Sequence, residues 1–164
     1  MKLILGGTAP IALAGYTDAD YANDAGRKSV MGYTFSLGSG AISWASRKQK
    51  VVALSSTESE YIAASEGAKD GCWLRMLARG MTVNVDGATD LFCDNNSAMI
   101  LANDQSLHSR AKHIDVRYHH IRDCVEKRKI SIKRVPTEDN TADTLTKALP
   151  FPAFIQHRTG LGVA

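Results

Sequence analysis

Polar and apolar residues alternate through the first third of the chain. Met31, Tyr33, Phe35 and Leu37 occupy every second position, with Gly32, Thr34 and Ser36 between them. A period of two marks a strand with one buried face. Leu13 to Ala22 predicts a strand before it, closed by the turn residues Asn23, Asp24 and Gly26. Gly38-Ser39-Gly40 predicts a hairpin turn after it, and Ala41 to Ala45 a third strand. Residues 1–10 hold a short apolar run, Leu3-Ile4-Leu5, then Gly6-Gly7 and Pro10, and predict no independent unit.

The period then changes. Ser55-Ser56-Thr57-Glu58 is a capping-box signature, a serine followed three residues later by a glutamate. It opens a long helix that runs to Arg79, with Gly80 as its stop. Ala63, Ala64, Gly67 and Gly71 fall on the face of Glu60. Each helical glycine costs about 1 kcal/mol relative to alanine. Two on one face make sense where the helix lies very close to a sheet, which holds Glu60 beside a strand. Leu91-Phe92-Cys93 predicts a fourth strand closed by Asp94, and Ser97 to Asn103 a second helix. Ile114, Tyr118, Ile121 and Val125 form one stripe of a third helix. Ile130 and Ile132 mark a fifth strand, and Thr141 to Ala148 a last helix stopped by Pro150. Three hairpin-linked strands followed by alternating helices and strands imply an α/β domain with a mixed sheet.

Composition fits this picture. The chain has 164 residues, 44% hydrophobic and 23% charged, enough for one domain with a real core and too apolar for disorder. No apolar run approaches the roughly 20 residues of a membrane span. The start is too short and too lightly charged for a secretory signal. Cys72, Cys93 and Cys124 make an odd count without CxxC spacing, so the sequence predicts neither a disulfide framework nor a cysteine zinc site, and a reducing compartment. His113, His119 and His120 match no usual zinc spacing.

Charge is segregated. The net charge is +3, but residues 27–50 carry five basic residues and no acid, and residues 108–134 nine basic residues, three acids and four of the five histidines. The rest of the chain is therefore acidic. A basic surface beside an acidic site suits a metal-dependent enzyme acting on nucleic acid, because Lys and Arg hold phosphates and carboxylates hold metal. Asp18 lies in the first strand, Glu60 in the first turns of the long helix, Asp94 at the end of the fourth strand and Asp143 at the start of the last helix. Taken singly, each has a plain structural alternative: Glu60 and Asp143 complement a helix dipole, and Asp94 can cap a helix. Four carboxylates in one place need compensating cations. Two Mg²⁺ ions would supply them.

The segments GYTDADYA, AISWASRKQKVVALSSTESEYIAASEGAKD, LFCDNNSAM, HSRAKHIDVRYHHIRD and VPTEDNTADTLTKALP occur in this order. Together they resemble the RNase H domain of copia-type (Pseudoviridae) LTR-retrotransposon Pol polyproteins, from about Leu3 to Pro150. The resemblance implies an RNase H-like fold, a five-stranded mixed sheet of order 3-2-1-4-5 flanked by helices. It implies a ribonuclease H, an endoribonuclease cutting the RNA strand of RNA/DNA hybrids during reverse transcription by two-metal-ion hydrolysis. The four catalytic and metal-holding acids carried over are Asp18, Glu60, Asp94 and Asp143. Asp18 would bridge two Mg²⁺ ions, with Mn²⁺ able to substitute. Asp143 would serve the metal that activates water, and Glu60 and Asp94 the one facing the leaving oxygen. Asp20 is a rival ligand on the same strand face, and Glu138 and Asp139 belong to a solvated turn.

Small polar residues near the acids, Ser56, Thr57, Asn95 and Asn96, are candidates for reading the hybrid's 2′-hydroxyls. Ser56 and Asn95 have helix capping as their alternative role. Arg47, Lys48 and Lys50, between the third strand and the long helix, are candidates for the phosphate backbone. Trp44 is read as core rather than a stacking surface. Many RNases H carry a histidine in the loop before the last aspartate, whereas residues 134–140 hold none.

The expected organisation is an upstream remnant at 1–10, an RNase H domain at 11–150 and a tail at 151–164. Expected partners are the hybrid and the reverse transcriptase domain of the same polyprotein, with no membrane and no small-molecule substrate. The expected location is cytoplasmic, in virus-like particles. The competing reading is a catalytically silent nucleic-acid-binding domain left by a retroelement.

Overall fold

The computed structural model describes residues 2–3, 11–103 and 119–164. Three antiparallel strands come first: β1 (Leu13–Asp20), β2 (Val30–Leu37) and β3 (Gly40–Lys48). The hairpin between β2 and β3 turns at Gly38, whose φ of 72° suits a residue without Cβ. After the long helix α1 (Ser56–Gly80), β4 (Thr89–Cys93) adds to β1 in parallel, and α2 (Asn96–Asn103) follows. Helix α3 (His120–Glu126) leads into β5 (Ile130–Arg134), parallel to β4. The sheet order is 3-2-1-4-5. Two short 3-10 segments, Thr137–Asp139 and Thr141–Leu145, precede the last helix, α4 (Phe151–Gly160).

One sheet face is covered by α1, as its glycines predict. A Cβ on Gly67 would sit 3.5 Å from the Tyr33 Cβ, and one on Gly71 only 2.8 Å from the Phe35 ring and 3.1 Å from Ile130. Larger residues would lift the helix off the sheet and draw Glu60 away with it. Phe35, Tyr61, Ile62, Leu91, Ile121 and Ile130 are fully buried in this layer. The opposite face is covered by residues 141–146. A Cβ on Gly32 would lie 2.8 Å from Leu145, 3.0 Å from Thr146 and 3.2 Å from the Ala142 carbonyl. Gly32 is the register partner of Asp18, so this small residue admits the turn directly beside the acid.

Several sequence expectations change. Strand β1 stops at Asp20, and β3 runs on to Lys48, so Arg47 and Lys48 end a strand rather than follow it. The capping box forms as read, with Ser55 as the cap: its hydroxyl accepts from the Glu58 N–H at 3.1 Å, and the Glu58 carboxylate accepts from the Leu54 N–H at 2.8 Å, while Ser56, given capping as its alternative role, is the first residue of the helix. Gly80 lies inside α1, and the left-handed residue beyond it is Thr82 (φ 59°). The predicted helix at 141–148 is a single 3-10 segment, because the chain must bend here to seat Thr146 on Asp18. Pro150 does not end the structure but starts α4, with a second proline, Pro152, in the first turn where an N–H is not needed. The N-terminal part of the predicted third helix, including Ile114 and Tyr118, lies outside the described residues, as do His108 and His113. Trp44, read as core, is 59% exposed, at the wall of an apolar groove with Leu3, Leu145, Leu161 and Val163.

Candidate active site

The acidic residues converge because β1 and β4 are adjacent and parallel, so the C-terminal half of β1 and the end of β4 lie at the same end of the sheet. Asp18 comes from β1, Asp94 from the residue after β4, and Asp143 from the 3-10 segment on the sheet's open face. Carboxylate oxygens of Asp18, Asp94 and Asp143 all lie within 4.8 Å of one another. Glu60, in the second turn of α1, comes within the same distance of Asp94 and the Cys93 thiol. Asp94 thus joins two overlapping acidic clusters. Asp20 belongs to neither and accepts a hydrogen bond from the Asn23 amide.

Three of the acids are nearly inaccessible: Asp18 is 2% exposed, Asp143 3% and Glu60 6%. Burial and the neighbouring carboxylates of Asp143 and Asp94 push Asp18 up to about 6, against the Thr146 hydrogen bond and the Lys147 charge. Burial, with the charges of Asp18 and Asp94, pushes Glu60 up to about 9. Among the described residues, buried oxygens of Glu60 (Oε2) and Asp143 (Oδ1) have no hydrogen-bond partner. Unpaired buried carboxylate oxygens are costly, and crowded carboxylates repel. Both problems disappear with hard divalent cations, which take carboxylate oxygens as ligands. The donor set fits Mg²⁺.

Residues after 136 hold this cluster in place. Asn140 is fully buried, donates from its side chain to the Thr17 carbonyl at 3.0 Å and caps the 141–145 segment. The Thr146 hydroxyl donates to Asp18, and Thr137 donates to Asp94 at 2.8 Å. The Lys147 ammonium lies 3.0 Å from an Asp143 oxygen and 4.0 Å from an Asp18 oxygen. Sequence reasoning missed Asn140, Thr146 and Lys147. A signal was present, since Lys147 stands four residues after Asp143.

The other candidates surround the acids unevenly. Ser56 and Thr57 stand in the first turn of α1, one turn before Glu60. Asn95 follows Asp94 and caps α2 by accepting from the Ala98 N–H at 2.9 Å, while Asn96 is exposed beside it. Arg47, Lys48 and Lys50 rim a hollow of about 210 Å³ with Lys69. Lys48 is ion-paired to Asp24 at 2.6 Å, which reduces its charge for a phosphate. Glu138 and Asp139 are exposed, as expected of a turn. His119 contacts the Tyr61 hydroxyl at 2.9 Å, and His120 the Cys124 thiol at 3.3 Å.

The sheet order and the helices on its face, with the acids gathered at one end of the central strands, define an RNase H-like fold. Solved structures agree. The N-terminal RNase H domain of Rv2228c from Mycobacterium tuberculosis superposes with a TM-score of 0.57 at 16% identity, over 90% of this chain and 96% of that one. The foamy viral protease-reverse transcriptase in complex with RNA/DNA hybrid gives 0.53 at 15% identity, over 89% of this chain and 21% of that one. No family model matches the chain. Across most of its length the chain is a homologue of retrovirus-related Pol polyproteins from plant transposons. It is 46% identical over 153 residues to the Pol polyprotein of transposon TNT 1-94 of Nicotiana tabacum, a match covering 93% of this chain and 11% of the relative. The chain thus spans about a tenth of the length of the curated relatives it matches. Among the described residues, no helix is long and apolar enough to cross a membrane.

Proposed function

We propose that this chain is the ribonuclease H of a retrotransposon Pol polyprotein, cutting the RNA strand of RNA/DNA hybrids during reverse transcription. The observation that carries the reading is the meeting of Asp18, Glu60, Asp94 and Asp143, spread over 125 residues of sequence, at one end of the sheet with buried oxygens unpaired. In this reading the four acids hold two Mg²⁺ ions, for which Mn²⁺ can substitute. Bound there, the ions supply an activated water and charge stabilisation for in-line displacement at phosphorus. Asp18 and Asp143, with Asp94, are the natural holders on the open side, and Glu60 with Asp94 on the helix side. Thr146 and Thr137 fix the orientation of Asp18 and Asp94 through their hydroxyls. The burial of the Asp18 and Asp143 side chains keeps bulk water from competing for their oxygens.

Ser56, Thr57, Asn95 and Asn96 flank the acids and present short donors and acceptors suited to ribose hydroxyls. Arg47 and Lys50 extend the surface toward the duplex backbone, with Lys48 contributing less. Residues 11–150 form the catalytic unit in this proposal, with 1–10 upstream and 151–164 as an extension. The reverse transcriptase of the same polyprotein is the proposed neighbour, and a virus-like particle in the cytoplasm the proposed location. The foamy viral enzyme, whose fold this chain shares, was captured on such a hybrid.

The test is cleavage of a hybrid carrying a label on each strand, alongside single-stranded RNA, duplex RNA and duplex DNA. Mg²⁺-dependent scission confined to the RNA strand of the hybrid, and lost in Asp18→Asn, is expected. Binding of the hybrid without scission in either Mg²⁺ or Mn²⁺ would identify a silent binding domain instead.

A further inference from the structure

A second cluster of metal-ligating side chains lies away from the acids. Cys72 stands in α1, twelve residues and so about 18 Å along the helix axis from Glu60. Its sulfur is 3.2 Å from that of Cys124, and the Cys124 sulfur is 3.3 Å from the His120 Nε2. The three ligand atoms all fall within 4.8 Å of one another. His120 and Cys124 are four residues apart in α3, which puts them on one helix face one turn apart. Cys72 closes the set from the neighbouring helix. No CxxC spacing announces this cluster, because it is assembled from two helices.

We propose that Cys72, His120 and Cys124 bind a single Zn²⁺ ion that ties α3 to α1. The ligand set is the soft sulfur and imidazole chemistry that zinc prefers, unlike the all-oxygen set around Asp18. The dimensions agree. Zn–S bonds of about 2.3 Å and Zn–N bonds of about 2.0–2.1 Å at tetrahedral angles require S···S near ~3.8 Å and S···N near ~3.6 Å. From the observed 3.2 and 3.3 Å, the sulfurs need to open by about 0.6 Å and the Cys124–His120 pair by about 0.3 Å. A disulfide, at about 2.05 Å, would require the sulfurs to close by roughly 1.2 Å. Two thiolates neutralise the ion, and the exposed edge at His120 leaves the fourth position to water. Donation from the Cys124 thiol, with the charges of Lys129 and Arg75, lowers the Cys72 thiol to about 7, while the same hydrogen bond and burial push the Cys124 thiol up, so the second proton leaves only as the ion binds.

Cobalt makes the site visible. The full chain, reduced and stripped of metal, is titrated with Co²⁺ in excess Mg²⁺, which occupies the carboxylates. One equivalent is expected, with a thiolate-to-cobalt charge-transfer band and tetrahedral visible bands, both displaced by Zn²⁺. Asp18→Asn should leave this spectrum unchanged. His120→Ala, at an exposed position and with its fold checked by circular dichroism, should weaken Co²⁺ binding by on the order of tenfold or more. Cys72→Ser, with its fold checked by circular dichroism, should lose about half of the charge-transfer intensity. Zn²⁺ should also protect Cys72 and Cys124 from alkylation. The proposal is overturned if the reduced chain shows no charge-transfer band, if the band is the same in His120→Ala and Cys72→Ser, or if Cys72 and Cys124 form a disulfide in air despite saturating Zn²⁺.

Discussion

The Lys147 ammonium lies 3.0 Å from the Asp143 carboxylate, inside the acidic cluster and within 4.0 Å of Asp18. Among the described residues it is the cation nearest the acids, and the metal-free site depends on it to offset their repulsion. The same charge opposes divalent ions. Lys147→Met is therefore expected to lower the melting temperature of the metal-free chain and to reduce the Mg²⁺ concentration for half-maximal cleavage by about three- to tenfold, a difference near 1 kcal/mol. Residues 134–140, the loop before Asp143, hold no histidine, so Lys147 is also the group placed to reclaim carboxylate oxygens when product leaves. Rapid-quench kinetics should show an unchanged burst and a slower steady phase in the variant. Linear product formation from the first turnover in both proteins would remove Lys147 from that role.

Asp18 sits at the centre of the repulsion and of the proposed chemistry. Asp18→Asn keeps the shape and the bond to Thr146 while deleting one charge. Hybrid cleavage should fall by about 10³-fold or more, the several kcal/mol of transition-state stabilisation that bound metal supplies. The metal-free variant should melt higher by about 2–4 °C, corresponding to a gain near 1 kcal/mol in a domain of this size. Cleavage at the wild-type rate with a normal melting temperature would take Asp18 out of the site.

The pH dependence follows from the raised carboxyls. Glu60 titrates near 9 and Asp18 near 6 in the folded metal-free chain, each above its value when unfolded. The folded state therefore holds more protons than the unfolded state between about pH 4 and 9, and stability falls as pH rises through that window. Melting temperature in chelator should decline from about pH 5 to about pH 9, most of the later fall coming from Glu60. Metal binding takes the ionised form, so saturating Mg²⁺ should flatten the curve. Calorimetry in buffers of different ionisation enthalpy should detect about one proton released per chain near neutral pH.

Gly32 tests how closely the 141–146 turn must approach the sheet. A methyl group there meets Leu145 at 2.8 Å and the Ala142 carbonyl at 3.2 Å. Gly32→Ala should cost about 1–3 kcal/mol of stability. By shifting Thr146 and Lys147 away from Asp18, it should weaken Mg²⁺ activation at temperatures where the variant is still folded. Far-ultraviolet circular dichroism run beside the Mg²⁺ titration separates the two effects.

The basic rim predicts salt dependence. Replacing Arg47 and Lys50 with glutamine should reduce the slope of log affinity against log salt by somewhat less than one unit per contact, without changing which strand is cut. Lys48→Gln should do less, because Asp24 already holds its ammonium. An unchanged slope in the Arg47/Lys50 double variant would leave these residues as solvated surface.

The sequence made the sheet legible because β2 alternates cleanly and the glycines of α1 lie on one face. The four acids were legible through their motif order, which is information about family rather than about distance. What supports them was not. Thr146 and Lys147 were assigned to a helix because Thr141 to Ala148 contains no breaker, and only contact with Gly32 makes the chain turn there. Trp44 reads as core from sequence but is exposed, because it stands on the edge strand β3 over the groove it shares with Leu3 and Leu161. The helix after Pro150 was missed because proline was read as a stop, while its fixed φ also suits a start. Cys72 and Cys124 are 52 residues apart, a separation that local spacing rules do not examine.

The hydrogen bond from Thr146 to Asp18 closes a loop of 128 residues, and that from Asn140 to Thr17 one of 123. All five strands are complete by Arg134, before Asn140 or Thr146 has been added. During synthesis the sheet can therefore form while the centre remains unassembled, lacking Asp143 and the groups that anchor it. Contacts of such long separation form late, after local ones have reduced the entropy of closing the loop. The proposed centre is thus the last part of the domain to be specified: a chain cut after Arg134 keeps Asp18, Glu60 and Asp94 but loses Asp143 and the residues that anchor Asp18.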